Sequence, residues 1–315
     1  MKTLKRRLIV LSMLIAAIVL TAGIGATAFA APATTDGIEQ YRPQLSYTPA
    51  KGWNNDPNGL VYDPDKGEYH MYYQYYPDGN MWGDMHWGHA VSTDLVHWDE
   101  KDIAIYPLFA SNDLYKADAV WENGVLKEVR GINGTNEHLE GGAEKTPTGT
   151  IFSGSVVYVS EANAARAYRG KGFYAIFTQP KSAEERWWDV NRLGEALNTD
   201  QRQTIAYSED GNFFDHSTFR EIIPVDYEGR ETAYPADFRD PKVFWDDALD
   251  KWMLVVGGGE VLQFTSENLL DWEYIGSTGF WGECPDLFAL DTPNGAAGEN
   301  TWVLLLSPKN EAQSH

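Results

Sequence analysis

Residues 240–272 read D-P-K-V-F-W-D-D-A-L-D-K-W-M-L-V-V-G-G-G-E-V-L-Q-F-T-S-E-N-L-L-D-W, and this stretch decides the fold. It contains three short apolar or alternating runs separated by Asp and Gly, a pattern typical of consecutive β-strands. The first run starts with a polar head at Asp240, the second is apolar, and the third ends in the pattern Ser-x-Asn-Leu-x-x-Trp. The stretch therefore predicts the first three strands of one structural unit.

The same unit recurs along the chain. It spans residues 56–98 and 152–214, and a further unit begins at Cys284. Antiparallel sheets of four strands that repeat every ~40–50 residues are typical of a β-propeller. A β-helix fits less well, because these units are too long and their number of strands is too regular. The sequence therefore predicts an all-β fold, a β-propeller.

The first strand of each propeller blade lines the central channel, so the polar residues at the heads of these strands are expected to share one cavity. These residues are Asp56, Ser153, Asp240 and Glu283. Two carboxylates on a rigid backbone are what glycosidic bond cleavage requires: one protonates the leaving oxygen, and the other attacks carbon or activates water. The pattern indicates a glycosidase.

Composition narrows the classes of partner. The formal net charge is −21, which argues against nucleic acid, anionic membranes and polyanionic substrates, whereas a neutral polymer is compatible. The chain is rich in aromatic residues, with 12 Trp, 17 Tyr and 13 Phe, as in many proteins that stack sugars. Cys284 is the single cysteine, so we expect no internal disulfide and a fold held by its core.

The N-terminus has the features of an export signal. A basic region is followed by an apolar stretch, Leu8–Gly25, and by the small-residue cleavage site Ala28–Ala30. We expect a signal peptide at 1–30, a short linker at 31–40 and the propeller domain at 41–315. The prediction is a secreted protein with no membrane association after cleavage; an uncleaved anchor is the alternative.

Three motifs together resemble those of glycoside hydrolase family 32, the β-fructosidases, which include invertases, inulinases and levanases. Trp53–Gly59, W-N-N-D-P-N-G, matches the first family motif, although Asn54 stands where Met is usual. Phe238–Lys242, F-R-D-P-K, and Glu283–Leu287, E-C-P-D-L, match the second and third motifs in order and spacing. The likeness covers residues 41–306.

The resemblance implies a five-bladed propeller followed by a C-terminal β-sandwich. The sequence supplies about three blades, the start of a fourth, and no sandwich. We therefore expect it to be part of a longer enzyme.

The resemblance also implies roles for the three carboxylates. Asp56 is the expected nucleophile, Glu283 the acid/base, and Asp240 the group that stabilises the transition state. Arg239 is expected to fix a carboxylate or to donate to a sugar hydroxyl, with a purely structural Arg–Asp contact as the alternative. Cys284 is expected to be a small buried packing residue beside the acid/base.

Other positions fit the accessory motifs of the family. Asn55, Gln74 and Ser153 are expected to hydrogen-bond the bound fructose, and Trp82 to form a wall of its pocket. No cofactor is expected. No metal site is expected either, because the histidines of the first unit lack a ligand set at suitable spacing. These histidines are His70, His86, His89 and His97.

With the export signal, the resemblance implies a secreted, retaining glycosidase that releases fructose from levan, inulin or sucrose through a covalent fructosyl-enzyme. Its expected partner is a neutral fructan or sucrose, and the sequence does not predict an oligomeric state. One alternative is a fructosyltransferase of the same family, because transfer and hydrolysis share the intermediate. Another is a non-catalytic carbohydrate-binding propeller, inactive because the chain is truncated.

Overall fold

The structure is a computed structural model in which the chain divides into two units, Met1–Thr48 and Pro49–His315. The predicted signal peptide and linker lie outside the described residues. In the first unit Arg42 Nη1 donates a hydrogen bond of 2.9 Å to Thr48 Oγ1. Among the described residues, no helix has the length and apolar character needed to cross a membrane. The structure describes residues 42–43, 45–83, 85–109, 118–122, 125–130, 147–180, 201–223, 237–291 and 300–308.

The second unit consists mostly of β-strands and has only short 3-10 helices in its described residues, Glu161–Arg166 and His216–Thr218. The strands are β1 (Trp53–Asp63), β2 (Glu68–Tyr76), β3 (His86–Ser92), β4 (Asp99–Ile105), β5 (Leu108–Phe109), β6 (Asp118–Glu122), β7 (Val125–Arg130), β8 (Pro147–Gly149), β9 (Gly154–Val159), β10 (Gly172–Pro180), β11 (Gln201–Ser208), β12 (Arg220–Ile223), β13 (Arg239–Asp246), β14 (Lys251–Gly257), β15 (Glu260–Ser266), β16 (Trp272–Trp281), β17 (Glu283–Asp291) and β18 (Asn300–Ser307).

The strands form the predicted blades. β1–β4, β9–β12 and β13–β16 are four-stranded sheets in chain order, with antiparallel pairing, and β17 and β18 begin a fourth. The first strands are neighbours, because β9 contacts both β1 and β13, and β13 contacts β17. The all-β partial propeller is therefore confirmed. Strands β5–β8 pair outside the blades as two small sheets.

The apolar second strands are explained by packing on both faces. Along β10, Phe173 and Phe177 belong to the core cluster shared with the first blade, whereas Tyr174 and Ile176 belong to the cluster shared with the third. Successive side chains of a strand point to opposite faces, so a strand between two neighbouring blades must be apolar throughout. Each such side chain, once buried, contributes about 1.5–3 kcal/mol.

The repeated Ser-x-Asp/Asn pattern forms the turn between the third and fourth strands of a blade. Ser92 Oγ accepts hydrogen bonds from the backbone N–H of Asp94 (3.1 Å) and Leu95 (2.8 Å). Ser266 Oγ accepts the equivalent bonds from Asn268 (3.1 Å) and Leu269 (3.0 Å). The fourth position has positive φ in all three blades: Leu95 (63°), Gly211 (77°) and Leu269 (69°).

Candidate active site

Each of the three carboxylates lies where the first strand of its blade carries a bulge. Pairing with the second strand shifts around Asp56 in β1, around Asp240 in β13, and just after Glu283 in β17. A bulge turns a side chain away from the regular pleat. The prolines of the motifs suit these positions because proline has no N–H to contribute to the ladder. They are Pro57, Pro241 and Pro285.

Two of the bulges contain residues in the left-handed region, Asp240 with φ 63° and Cys284 with φ 48°. Such a conformation is unfavourable for a residue with a side chain, by about 1–2 kcal/mol. Hydrogen bonds hold it in place: the Asp240 N–H donates to Thr178 Oγ1 (3.1 Å), and the Cys284 N–H donates to Asp240 Oδ2 (3.0 Å). The second bond also ties the third motif to the second.

The three carboxylates belong to one cluster. Cys284 Sγ lies 3.7 Å from Asp56 Oδ2 and 3.6 Å from Asp240 Oδ2. Arg239 Nη2 donates to Glu283 Oε1, and Arg239 Nε lies 3.9 Å from Asp240 Oδ2. The sequence-based expectation that these distant motifs meet is therefore confirmed.

Ser153 joins the cluster from the second blade, as predicted. It lies directly before β9, is buried, and its Oγ donates a hydrogen bond of 2.7 Å to Asp56 Oδ2. This bond holds the Asp56 carboxylate in one orientation. A role of Ser153 in contacting sugar stays a prediction.

Burial distinguishes Asp240 from the other two acids. Asp240 is 7% exposed, and this burial raises the pKa of its carboxyl to about 6. The Cys284 N–H and the Arg239 charge act in the opposite direction, while Asp56 and Glu283 add to the rise. The side chain of Glu283 is 35% exposed, so it can reach solvent.

Cys284 does not occupy the buried packing position expected from the sequence. The residue as a whole is exposed to solvent, while its Sγ lies at the bulge in β17 within 3.7 Å of the Asp56 and Asp240 carboxylates. Desolvation of Sγ, together with the charges of Asp240 and Asp56, raises the pKa of the thiol. The thiol therefore stays protonated and can donate to either carboxylate.

Arg239 contacts more acids than expected. Its side chain is 16% exposed, and besides Glu283 it donates from Nη1 to Asp237 Oδ1 (2.6 Å). The contact with Asp237 fits the structural Arg–Asp alternative, and the contact with Glu283 fits the expectation that Arg239 fixes a carboxylate. The contact with Glu283 holds that carboxylate beside the guanidinium, and donation by Arg239 to a sugar hydroxyl stays a prediction.

The remaining predicted sugar contacts lie on the first blade. Asn55 Oδ1 accepts a hydrogen bond from Trp53 Nε1 (2.9 Å), and Trp82 is 57% exposed with its ring edge-on to Phe152. Gln74 is only 2% exposed and donates from Nε2 to the backbone oxygen of Ile151 (2.9 Å). Contact of these three residues with sugar stays a prediction.

Sequence reasoning missed the polar residues that support the cluster from behind. Thr178 Oγ1, besides accepting from Asp240, donates to Gln203 Oε1 (2.8 Å), and Gln203 Nε2 donates to the backbone oxygen of Phe238 (2.8 Å). Asn58 Oδ1 accepts from the Gly154 N–H (3.2 Å), which joins the first two blades. Their signal in the sequence is a polar residue inside or at the end of an otherwise apolar run.

The profile of the Glycosyl hydrolases family 32 N-terminal domain matches residues 47–315. The chain belongs to glycosyl hydrolase family 32. It is 37% identical over 287 residues to a levanase of Bacillus subtilis (strain 168), a match that covers 88% of the chain and 33% of that levanase. It is 30% identical over 279 residues to the extracellular exo-inulinase inuE of Aspergillus niger (strain ATCC MYA-4892 / CBS 513.88 / FGSC A1513), covering 84% and 44% respectively.

Solved structures from family 32 have the same fold. A fructofuranosidase variant from Schwanniomyces occidentalis, complexed with fructosylnystose, superposes with a TM-score of 0.58 at 30% identity, covering 87% of this chain and 44% of that one. The exo-inulinase from Aspergillus awamori gives 0.56 at 29% identity, covering 84% and 46%. The chain thus spans between a third and a half of the length of these relatives.

Proposed function

We propose that this family 32 chain carries the catalytic centre of a secreted, retaining β-fructosidase that releases fructose from fructans. The observation that carries the proposal is the cluster in which Asp56, Asp240 and Glu283 meet around Cys284 and Arg239. Relatives named for levan and inulin support a fructan as substrate. The strongly acidic composition also favours a neutral sugar polymer.

In the proposed reaction, Asp56 attacks the anomeric carbon of a terminal fructosyl unit. Glu283 protonates the leaving oxygen, so the glycosidic bond breaks as the bond to Asp56 forms. Glu283 then removes a proton from water, which attacks the same carbon and releases fructose and the free Asp56 carboxylate. The hydrogen bond from Ser153 orients Asp56 for this attack.

Asp240 has a different proposed role. Its backbone is fixed by Thr178 and its carboxylate by the Cys284 N–H, so it cannot move towards the substrate as a nucleophile would. A fixed, desolvated carboxylate stabilises positive charge that develops on a sugar ring more strongly than a solvated one. We assign Asp240 to the oxocarbenium-like transition state and to the binding of fructose hydroxyls.

We propose levan as the preferred substrate, with inulin next and sucrose last. Export favours a polymer too large to be imported. The levanase of Bacillus subtilis has 37% identity to the chain, against 30% for the exo-inulinase of Aspergillus niger.

The test is sugar release from levan, inulin and sucrose by the purified protein, expressed to the natural stop codon of its gene, and by its Asp56→Ala and Glu283→Ala variants. Each substitution is expected to lower fructose release by at least about a thousandfold, because each removes a group that takes part in bond making or breaking. Asp99→Ala is the matched control, since it removes an exposed carboxylate from the fourth strand of the first blade. Circular dichroism verifies folding.

No fructose release from the folded protein, expressed to the natural stop codon of its gene, would contradict the proposal, and fructan binding without release would identify a binding propeller instead. Release that persists in both Asp56→Ala and Glu283→Ala would contradict the assigned roles. Chromatography of the products separates hydrolysis from fructosyl transfer, because transfer elongates an acceptor instead of yielding free fructose.

A further inference from the structure

A second cluster of ionisable groups lies at the turn between β1 and β2. One ligand atom each from Asp63, Glu68 and His70 lies within 4.8 Å of the others. Asp63 ends β1, seven residues beyond Asp56, which corresponds to roughly 23 Å along an extended strand. The cluster is therefore separate from the catalytic carboxylates.

Strand register creates this cluster. Asp63 pairs directly with Glu68, and His70 lies two residues further along β2, on the same face as Glu68. His70 Nε2 lies 3.4 Å from Glu68 Oε1 and 4.0 Å from Asp63 Oδ2. Ligand atoms about 2.0–2.1 Å from a tetrahedral metal are about 3.4 Å apart, so pairs in this cluster must close by up to about 1.4 Å to coordinate one ion.

His70 supplies an independent sign of a missing ligand. The residue is 0% exposed, and among the described residues its Nε2 has no hydrogen-bond partner. Its other ring nitrogen, Nδ1, lies 3.0 Å from Nε2 of the buried His89. When Nδ1 carries the proton and donates to His89, Nε2 turns its lone pair towards the two carboxylates. Metal-binding histidines are likewise oriented by a hydrogen bond from the other ring nitrogen, which is here accepted by an imidazole in place of the usual carboxylate, carbonyl or water.

A cation already lies beside these carboxylates. Lys66 Nζ is 3.4 Å from Asp63 Oδ2 and 3.7 Å from Glu68 Oε1, and it donates to the backbone oxygen of Asp210 (2.8 Å). The Lys66 side chain is 39% exposed, so its ammonium can leave this position for solvent. Lys66 and Glu68 also line a cavity of about 810 Å³, so the Glu68 side of the cluster borders an open space.

We propose that Asp63, Glu68 and His70 bind one divalent transition-metal ion of the zinc class, with a water molecule as fourth ligand and the Lys66 ammonium displaced. An imidazole with two carboxylates suits Zn²⁺, whereas Ca²⁺ and Mg²⁺ prefer sites made only of oxygen. The expectation of no metal site is corrected by this proposal, because Asp63, Glu68 and His70 become a ligand set only when β1 and β2 pair.

The metal has a structural role. It closes the turn that joins β1 and β2, and His70 packs its ring against Phe173 of the second blade at a centroid distance of 5.1 Å. Holding His70 therefore stabilises the contact between the first two blades. A bound ion raises the stability of the folded chain in proportion to its affinity, because the unfolded chain lacks the site.

The experiment titrates Zn²⁺ into the untagged, chelator-treated chain by calorimetry and follows the unfolding midpoint with and without Zn²⁺. We expect one equivalent to bind and the midpoint to rise. Glu68→Gln removes a partly exposed ligand and is expected to weaken Zn²⁺ binding by at least about tenfold. Circular dichroism verifies that the variant is folded. Lys66→Met removes the competing ammonium and is expected to tighten binding.

Lys251→Met is the matched control, because Lys251 has similar exposure and lies 3.8 Å from Glu267 in another blade. It is expected to leave Zn²⁺ affinity unchanged. The proposal is overturned if the chain binds no Zn²⁺, if Ca²⁺ binds more tightly than Zn²⁺, or if Glu68→Gln has no effect. Weaker binding by Lys66→Met would also overturn it, since that result would show that the lysine does not compete with the ion.

Discussion

Asp240 has several features that each lower the stability of the folded chain. It has positive φ, is buried, and lies near two other carboxylates. Each feature opposes folding, and the bonds from Thr178 and Cys284 compensate only in part. Residues that cost stability in this way are typical of functional sites, where the geometry is held for the chemistry.

The raised pKa of Asp240 predicts how stability depends on pH. Its folded pKa of about 6 exceeds the unfolded value of ~3.9, so the folded state binds the proton more tightly. The resulting cost, up to about 3 kcal/mol, is fully present above pH ~6 and disappears as pH falls towards the unfolded pKa. Asp240→Asn is therefore expected to stabilise the chain more at about pH 7.5 than at about pH 5.

Urea unfolding at both pH values measures this difference, with Asp99→Asn as an exposed control. An equal or larger gain at the lower pH would contradict the pKa argument. The same variant is expected to lose fructose release, because it lacks the charge that the proposed transition state requires.

At the scale of the elements, the Ser-x-Asp/Asn turn recurs in all three complete blades, and its fourth residue has positive φ in each. Leu95 and Leu269 have positive φ, whereas the second blade has Gly211 at the equivalent place. Burial differs between the two leucines: Leu95 is 46% exposed and Leu269 is 0% exposed. Substitutions at these two leucines therefore distinguish the effect of backbone strain on stability from the effect of losing a buried side chain.

Leu95→Gly is expected to leave the free energy of unfolding unchanged or to raise it by up to about 1 kcal/mol, because relief of strain offsets the flexibility of glycine. Leu269→Gly is expected to lower it by more than about 2 kcal/mol, since a buried side chain is lost. Thermal and urea unfolding of both variants measure the contrast. Equal effects of the two substitutions would show that burial does not decide the outcome.

At the scale of the whole molecule, burial is distributed unevenly among the sheets. β10 and β14 are buried along almost their whole length, whereas most residues of β17 and β18 are exposed or half-buried. Large apolar side chains lie exposed on the fourth sheet, among them Trp302 and Leu305. Strands with few buried contacts open more readily than the core.

Hydrogen exchange is expected to rank the strands accordingly. Backbone amides of β10 and β14 should exchange at least about a hundredfold more slowly than those of β17 and β18, a difference of roughly 2.7 kcal/mol in opening free energy. Exchange read by mass spectrometry tests this ranking. Equal protection of β18 and β14 would contradict it.

The order of strands, the blades and the three carboxylates could be predicted from the sequence because they depend on local chemistry. The apolar run of β10 and the Ser-x-Asn turn at Ser266 act within a few residues, and each motif presents its acid beside a proline. The prediction that the three motifs meet in one cavity rests on the repetition of the blade unit along the sequence. These features can therefore be predicted without knowledge of any contact between blades.

Only the tertiary structure decided which polar atoms meet. The bulge that exposes Cys284, the Gln74 amide bonded to Ile151, and the closeness of Asp63 to His70 depend on register and on neighbouring strands. Because side chains alternate across a strand, a shift of one residue reverses the face on which each lies. The sequence alone determined which groups are available for chemistry, and the packing of the blades determined where each one points.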